Sequence, residues 1–128
     1  TTAKFIHPEN KLGTVAPLGG TKRLPRLVGL GRAKYILFTG DIIDSKKALE
    51  WGLVDFLIEQ KEAKRFMDSL LSKIVQNPAK SISLTKKSVN REYAKDLKDD
   101  FEAASYLNCS RSQENKSILK EFLKKKVS

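Results

Sequence analysis

Cysteine is nearly absent from this sequence. Cys109 is the only one in 128 residues, which excludes an intrachain disulfide framework. A single histidine, His7, makes neither a metal set nor a triad and reads as structural; no Cys/His cluster has metal-ligand spacing, so no metal is expected. Long apolar runs are missing too, the longest being a few residues against the ~20 that a bilayer helix needs, so no membrane span is expected. No charged-then-apolar leader runs into a small-residue cleavage site, and a reducing compartment such as the cytoplasm is the expectation. Glycine disappears after Gly52, and beyond Pro25 the only proline is Pro78.

What is present is positive charge. Lys and Arg number 25 against 15 Asp and Glu, giving a net charge of +10 and a pI near 9.8. Such a balance suits polyanionic partners: nucleic acid, a membrane surface or a phosphate-bearing cofactor. The charge is spread evenly, with 9 basic and 4 acidic residues in positions 1–52 and 16 and 11 beyond. Basic residues alternate with acids along the later segments, and aromatic residues do not interleave with a basic stripe. That pattern argues against a nucleic-acid binder.

The loss of glycine after Gly52 divides the sequence into two grammars. The first part reads as loops and short elements, because glycine supplies unusual backbone angles and proline fixes turns. Lys4 to His7 resembles the tail of a strand broken by Pro8, and helical stretches fit around Leu24, Leu27 and Val28 and around Ala33, Ile36 and Leu37. Asp41 to Ile43 is a brief extended piece, Ser45 can cap a short helix containing Ala48, Leu49 and Trp51, and Asp41 and Asp44 read as turn and cap groups. Gly52 stands where a left-handed helix end is wanted. Leu53 to Ile58 is apolar enough for a buried strand.

From Gln60 on, the spacing is that of helices. Ala63, Phe66, Met67, Leu70, Leu71, Ile74 and Val75 fall on one helical face, and Pro78 ends it. A second stripe runs through Ile82, Val89 and Tyr93, a third through Leu97, Phe101, Ala104 and Leu107, and a fourth pairs Ile118 with Leu119 and Phe122 with Leu123. These faces need cover, from each other or from a partner chain. The fold class expected is α+β and mainly α.

The glycine-rich segment Leu12-Gly13-Thr14-Val15-Ala16-Pro17-Leu18-Gly19-Gly20-Thr21-Lys22-Arg23-Leu24 is not a phosphate loop. Thr21 precedes Lys22 and the first glycine is one residue too far away. Gly29-Leu30-Gly31 does not extend to a dinucleotide fingerprint either, since Lys34 stands where the third glycine belongs. Taken by themselves these glycines are compatible with tight turns before a helix.

A wider pattern runs through the first part. Phe5-Ile6-His7-Pro8-Glu9, Leu12-Gly13, Pro17 and Gly19-Gly20-Thr21-Lys22-Arg23-Leu24-Pro25-Arg26-Leu27-Val28-Gly29 are followed by Ala33, Thr39-Gly40, Ile43, Ala48 and Gly52-Leu53-Val54. In order and spacing, over roughly residues 3–58, this set resembles the enoyl-CoA hydratase/isomerase (crotonase) superfamily. The later helices are similar to that family's C-terminal helical region by pattern. The resemblance implies the C-terminal part of a crotonase-like fold, with residues 1–59 belonging to the spiral core and the acyl-CoA pocket, and 60–128 to a helical trimerisation region. Its N-terminal half, with both oxyanion donors and a first glutamate, is absent from this sequence. Thr1 in place of methionine, leading straight into an extended segment, agrees with a fragment.

Further expectations follow from the resemblance alone. The family binds acyl thioesters of coenzyme A as substrates, with no tightly bound cofactor, and stabilises a developing enolate through two backbone N–H groups. In its hydratases two glutamates handle water and a proton, and Glu9, directly after Pro8, matches the second. A carboxyl group in an apolar acyl pocket can keep its proton near neutral pH, which suits that task. Pro8, Gly13, Pro17, Gly19 and Gly20 match the acyl-pocket loop, where small residues leave room for substrate; tight turning is equally compatible. Lys120 and Lys124, with Lys125 and Lys126, are candidates for coenzyme A phosphates, or are solvated cations at a helix end. The family's common aromatic-Glu-Lys-Arg pattern is replaced here by Ile118-Leu119-Lys120-Glu121-Phe122-Leu123. A homo-oligomer, trimer or hexamer, is expected. Hydration or isomerisation of an enoyl-CoA is the implied reaction, and a non-catalytic oligomerisation module of the same family is the alternative.

Overall fold

The computed structural model describes residues 2–94 and 101–127. It divides into two compact units, one built from residues 2–55 with the helices that begin at Phe101, the other beginning at Phe56 and ending with the helix that closes at Ala94.

In the first unit, β1 (Lys4–Phe5) pairs antiparallel with β2 (Ile43–Asp44), placing Lys4 opposite Asp44 and Phe5 opposite Ile43. Two residues per strand cannot stand alone; helices hold them. A 3-10 turn, Glu9–Leu12, follows Pro8 and closes on Gly13, whose φ of 69° only glycine adopts readily. Helix α1 (Gly20–Val28) and α2 (Leu30–Thr39) come next, and Pro25 sits inside α1 without breaking it. The short α3 (Ser45–Glu50) is capped by Asp44 rather than Ser45: the Lys47 N–H donates to Asp44 Oδ1 at 2.8 Å. Ser45 is instead the first helical residue and is buried.

The core lies among these pieces. Leu24 and Val28 of α1, Ala33 and Ile36 of α2, Ile43 of β2 and Ala48 of α3 are buried together, with Phe5, Leu37, Trp51, Leu53 and Val54 packed around them. Full burial of each larger side chain contributes about 1.5–3 kcal/mol, and together they fix the scaffold under the glycine-rich loop. The expected strand at Leu53 to Ile58 does not form. Leu53 and Val54 N–H both donate to Ala48 O, at 2.8 and 3.3 Å, so the chain hooks back onto α3 instead of extending. Gly52, with φ of 74°, makes the turn possible.

Helix α6 (Phe101–Arg111) and α7 (Gln113–Val127) complete this unit. Of the third apolar stripe, Leu97 lies outside the described residues. Two polar side chains on these helices, Glu102 and Asn115, are buried.

The second unit carries a 3-10 turn at Gln60–Glu62, α4 (Ala63–Val75) and α5 (Ala79–Ala94). The α4 boundaries follow the apolar stripe, and Pro78 separates it from α5, where Ile82 N–H picks up Pro78 O at 3.1 Å. Phe56 and Phe66 pack as tilted rings 5.0 Å apart. Met67, Leu71, Ile74 and Val75 on α4, and Ile82, Val89 and Tyr93 on α5, are exposed.

Candidate functional site

The site grows from the segment between Pro8 and Thr21. Pro8 lies three residues beyond the end of β1 and starts the 3-10 turn, in which Leu12 N–H donates to Pro8 O at 3.2 Å and Thr14 N–H to Glu9 O at 3.0 Å. This folding presents the Glu9 side chain beside His7. His7 Nδ1 lies 3.4 Å from both Glu9 oxygens. Glu9 Oε2 is buried and accepts no hydrogen bond among the described residues. A buried carboxylate oxygen without a hydrogen bond is uncommon and calls for an explanation, of which a catalytic role is one.

The turn that carries Glu9 is held from two directions. Lys11 Nζ donates to Gly40 O at 2.8 Å, placing a cation at the C-terminal end of α2, where the helix dipole favours it, and lies 3.7 Å from Asp41 Oδ1. Asp41 Oδ2 in turn accepts from the Tyr35 hydroxyl at 2.9 Å. That hydrogen bond first, then the Asp41 charge and burial, holds the Tyr35 phenol above its ordinary value. On the other flank Asn115 Nδ2 donates to Leu12 O at 2.6 Å, so α7 is fastened to the turn by a buried amide.

Beyond the turn a cleft of about 350 Å³ is lined by His7, Pro17, Gly19, Gly20, Leu24 and Leu53, among others. Gly20 approaches closely enough that a Cβ there would stand 3.0 Å from Ala16 Cβ. Pro17, Gly19 and Gly20 therefore line one cavity together with His7. Gly13 faces elsewhere: a Cβ on it would meet Ile118 Cδ1 at 3.1 Å and Asn115 Cα at 3.2 Å, so it is the seat of α7. Pro8 is half-buried, and neither it nor Glu9 is among the residues lining the cleft. Lys120 and Lys124 are exposed on α7, and the side chains of Lys125 and Lys126 lie outside the described ones.

A carboxylate with no sequence motif around it dominates the loop. Glu102, at the first turn of α6, accepts from Gly19 N–H at 2.5 Å, from Thr21 N–H at 3.1 Å and from the Thr21 hydroxyl. Burial pushes its carboxyl up, but those hydrogen bonds and the Lys22 charge outweigh burial and leave it below the ordinary carboxylate value. Arg23 Nη2 donates to Leu18 O in the same loop. Sequence reading missed Glu102 and Asn115, whose partners lie 81 to 103 positions away. The local signal is no more than an acid between Phe101 and Ala103, beside the third apolar stripe and not on it.

Among the described residues no group of three His, Cys, Asp or Glu could hold a metal ion, and no helix is long and apolar enough to cross a membrane. The arrangement offers one carboxyl with an unpaired buried oxygen, an imidazole and an apolar cleft floored by glycines. Of these only the imidazole lines the cleft, with the Glu9 carboxyl behind it, and a carboxyl and an imidazole in that relation can carry a proton to or from a bound carbon.

Short strands, a helical core around a glycine-rich loop and helices laid against that loop define a mainly helical, crotonase-like architecture. The enoyl-CoA hydratase/isomerase family profile matches residues 1–127, and the chain belongs to that family. Among curated proteins it is 34% identical, over 98% of its length, to a short-chain-enoyl-CoA hydratase from Clostridium acetobutylicum, covering 49% of that protein. It is 33% identical to a crotonyl-CoA hydratase from Syntrophomonas wolfei, over 98% of this chain and 49% of the other. The crystal structure titled a putative enoyl-CoA hydratase from Streptomyces avermitilis superposes with a TM-score of 0.88 at 22% identity, over 96% of this chain and 45% of that one, and shows the fold. The chain spans about half the length of the curated relatives it matches.

Proposed function

We propose that this chain is the C-terminal, acyl-pocket part of a cytoplasmic enzyme that hydrates or isomerises an enoyl thioester of coenzyme A. The observation that carries the reading is the Glu9 carboxyl: an oxygen buried without a hydrogen-bond partner, beside an imidazole that lines the glycine-floored cleft. In hydration the water oxygen bonds to the β-carbon, a proton reaches the α-carbon, and the thioester oxygen carries the negative charge between those events. Glu9 handles the proton. The oxyanion donors and a second carboxylate come from the N-terminal half of the fold, so this chain alone is inactive. Pro17, Gly19 and Gly20 shape the acyl pocket, while Pro8 serves it at one remove by starting the Glu9 turn and Gly13 by seating α7. Lys120 and Lys124 meet coenzyme A phosphates, no cofactor is held tightly, and the whole protein is a homo-oligomer, a trimer or a hexamer.

The test is the loss of enoyl-CoA absorbance. The whole protein turns the thioester over, this chain alone does not, and Glu9→Gln in the whole protein slows turnover about 10²- to 10⁴-fold, the range of general acid–base catalysis. Full activity in that variant removes Glu9 from the mechanism. The alternative, a non-catalytic oligomerisation module, is favoured by the exposed apolar residues of α4 and α5, and it predicts assembly with no turnover by the whole protein.

A further inference from the structure

Leu18 is the one described non-glycine residue with a left-handed backbone, φ 59°, and its side chain is 86% exposed. Packing of that side chain does not hold it there. The peptide group that follows it is instead gripped at both ends: its carbonyl accepts from Arg23 Nη2, and its N–H, that of Gly19, donates to Glu102 Oε1 at 2.5 Å. The second Glu102 oxygen accepts from the Thr21 N–H and hydroxyl. Strained backbone persists only where its surroundings over-determine it, and here two charged side chains from two helices do so.

Leu18 lines two cavities, and Gly19 lines one of them. The one that Gly19 lines is the cleft of His7, Gly20, Leu24 and Leu53. The other is a cavity of about 480 Å³ bounded by Lys22, Ala103, Tyr106 and Leu107; Pro17 and Leu18 line both.

We propose that Glu102, aided by Arg23, is a positioning residue that sets the shape of the acyl pocket from α6. This rests on the reading of the Gly19–Gly20 cleft as an acyl pocket. A carboxylate is needed because three donors converge on two acceptor oxygens; the amide of glutamine turns one of those oxygens into a donor facing a donor. The effect falls on the acyl portion of the ligand rather than on coenzyme A itself, since the peptide touches the cleft and neither Lys120 nor Lys124.

The experiment compares the wild-type whole protein with Glu102→Gln and Arg23→Gln, the latter altering an exposed side chain outside the buried core. Two readouts are taken: amide hydrogen exchange at Gly19 to Thr21, and affinity for butyryl-CoA and for free coenzyme A. Each variant is expected to exchange these amides about tenfold faster with the core amides of α2 unchanged. Each is also expected to lose about tenfold in butyryl-CoA affinity with coenzyme A affinity retained. Equal exchange and equal butyryl-CoA affinity in Arg23→Gln overturn the positioning role while leaving the acyl-CoA reading intact. A parallel loss for butyryl-CoA and coenzyme A also overturns it, as the signature of general unfolding. Absence of butyryl-CoA binding by the wild type overturns the acyl-pocket reading and this proposal with it, and the exchange data still report whether the clamp exists.

Discussion

Gly13 decides whether the Glu9 turn and α7 can touch. Its backbone is left-handed, and its missing side chain leaves room for Asn115 Cα and Ile118 Cδ1. The Ile118 terminus can swing aside, but the Asn115 backbone cannot, and Asn115 also holds Leu12 O. Gly13→Ala is therefore expected to destabilise the protein by about 2 kcal/mol, combining the left-handed penalty with overpacking. The urea midpoint should fall with the slope unchanged. Gly31→Ala is the control: it lies in α2 with nothing near its Cβ position, and helix propensity predicts no loss. A Gly13→Ala protein as stable as wild type would show that α7 is not seated there.

At the scale of elements, the α6-to-loop clamp makes stability depend on pH. Glu102 in the folded protein sits below the ordinary carboxylate value, so between the two values the unfolded chain binds more protons. Its contribution is thus complete above the ordinary glutamate range and is lost as pH falls through the lowered folded value. Thermal midpoints of wild type and Glu102→Gln should differ most near neutral pH, where leaving the loop N–H groups badly paired costs about 1–3 kcal/mol. The gap should close in acid. A gap independent of pH would mean that the carboxylate charge contributes nothing.

These two elements also show what local sequence does and does not encode. Helix α4 is readable because its stripe repeats every three to four residues and Pro78 stops it. Helices α1 and α2 are readable from Leu24, Val28, Ala33 and Ile36, which became the core, with Leu37 packed against it and Leu27 exposed. Leu53 to Ile58 misleads, since apolar content signals burial but not geometry, and Ala48 O captured two N–H groups that a strand would have used. Of the two capping side chains that the sequence offers here, Asp44 is the one that caps α3, and Ser45 lies inside the helix. Glu102 and Asn115 are invisible locally because their function lies wholly in contacts closed by the fold across the chain. Glu9 is visible only through its motif, and nothing in the sequence says that its Oε2 is buried and unpaired.

At the scale of the whole molecule, the apolar stripe of α4 separates two parts of the proposal. Met67, Leu71, Ile74 and Val75 are between 41% and 75% exposed, a patch that soluble helices normally cover. Each such side chain contributes up to about 1.5–3 kcal/mol when buried, enough in combination to drive association of copies. A charge at Leu71 or Ile74 would then have to be buried at the contact, which is prohibitive without a partner. Leu71→Asp and Ile74→Asp are expected to shift the whole protein from oligomer to monomer in sedimentation while its helical circular dichroism stays unchanged. Because α4 carries none of the residues assigned to the thioester, turnover per subunit distinguishes the two roles. Monomers that still act on enoyl-CoA show that assembly only stabilises the enzyme, whereas monomers without turnover show that the site needs a neighbouring copy. Variants that remain oligomeric place the contact on another surface and remove α4 from the assembly.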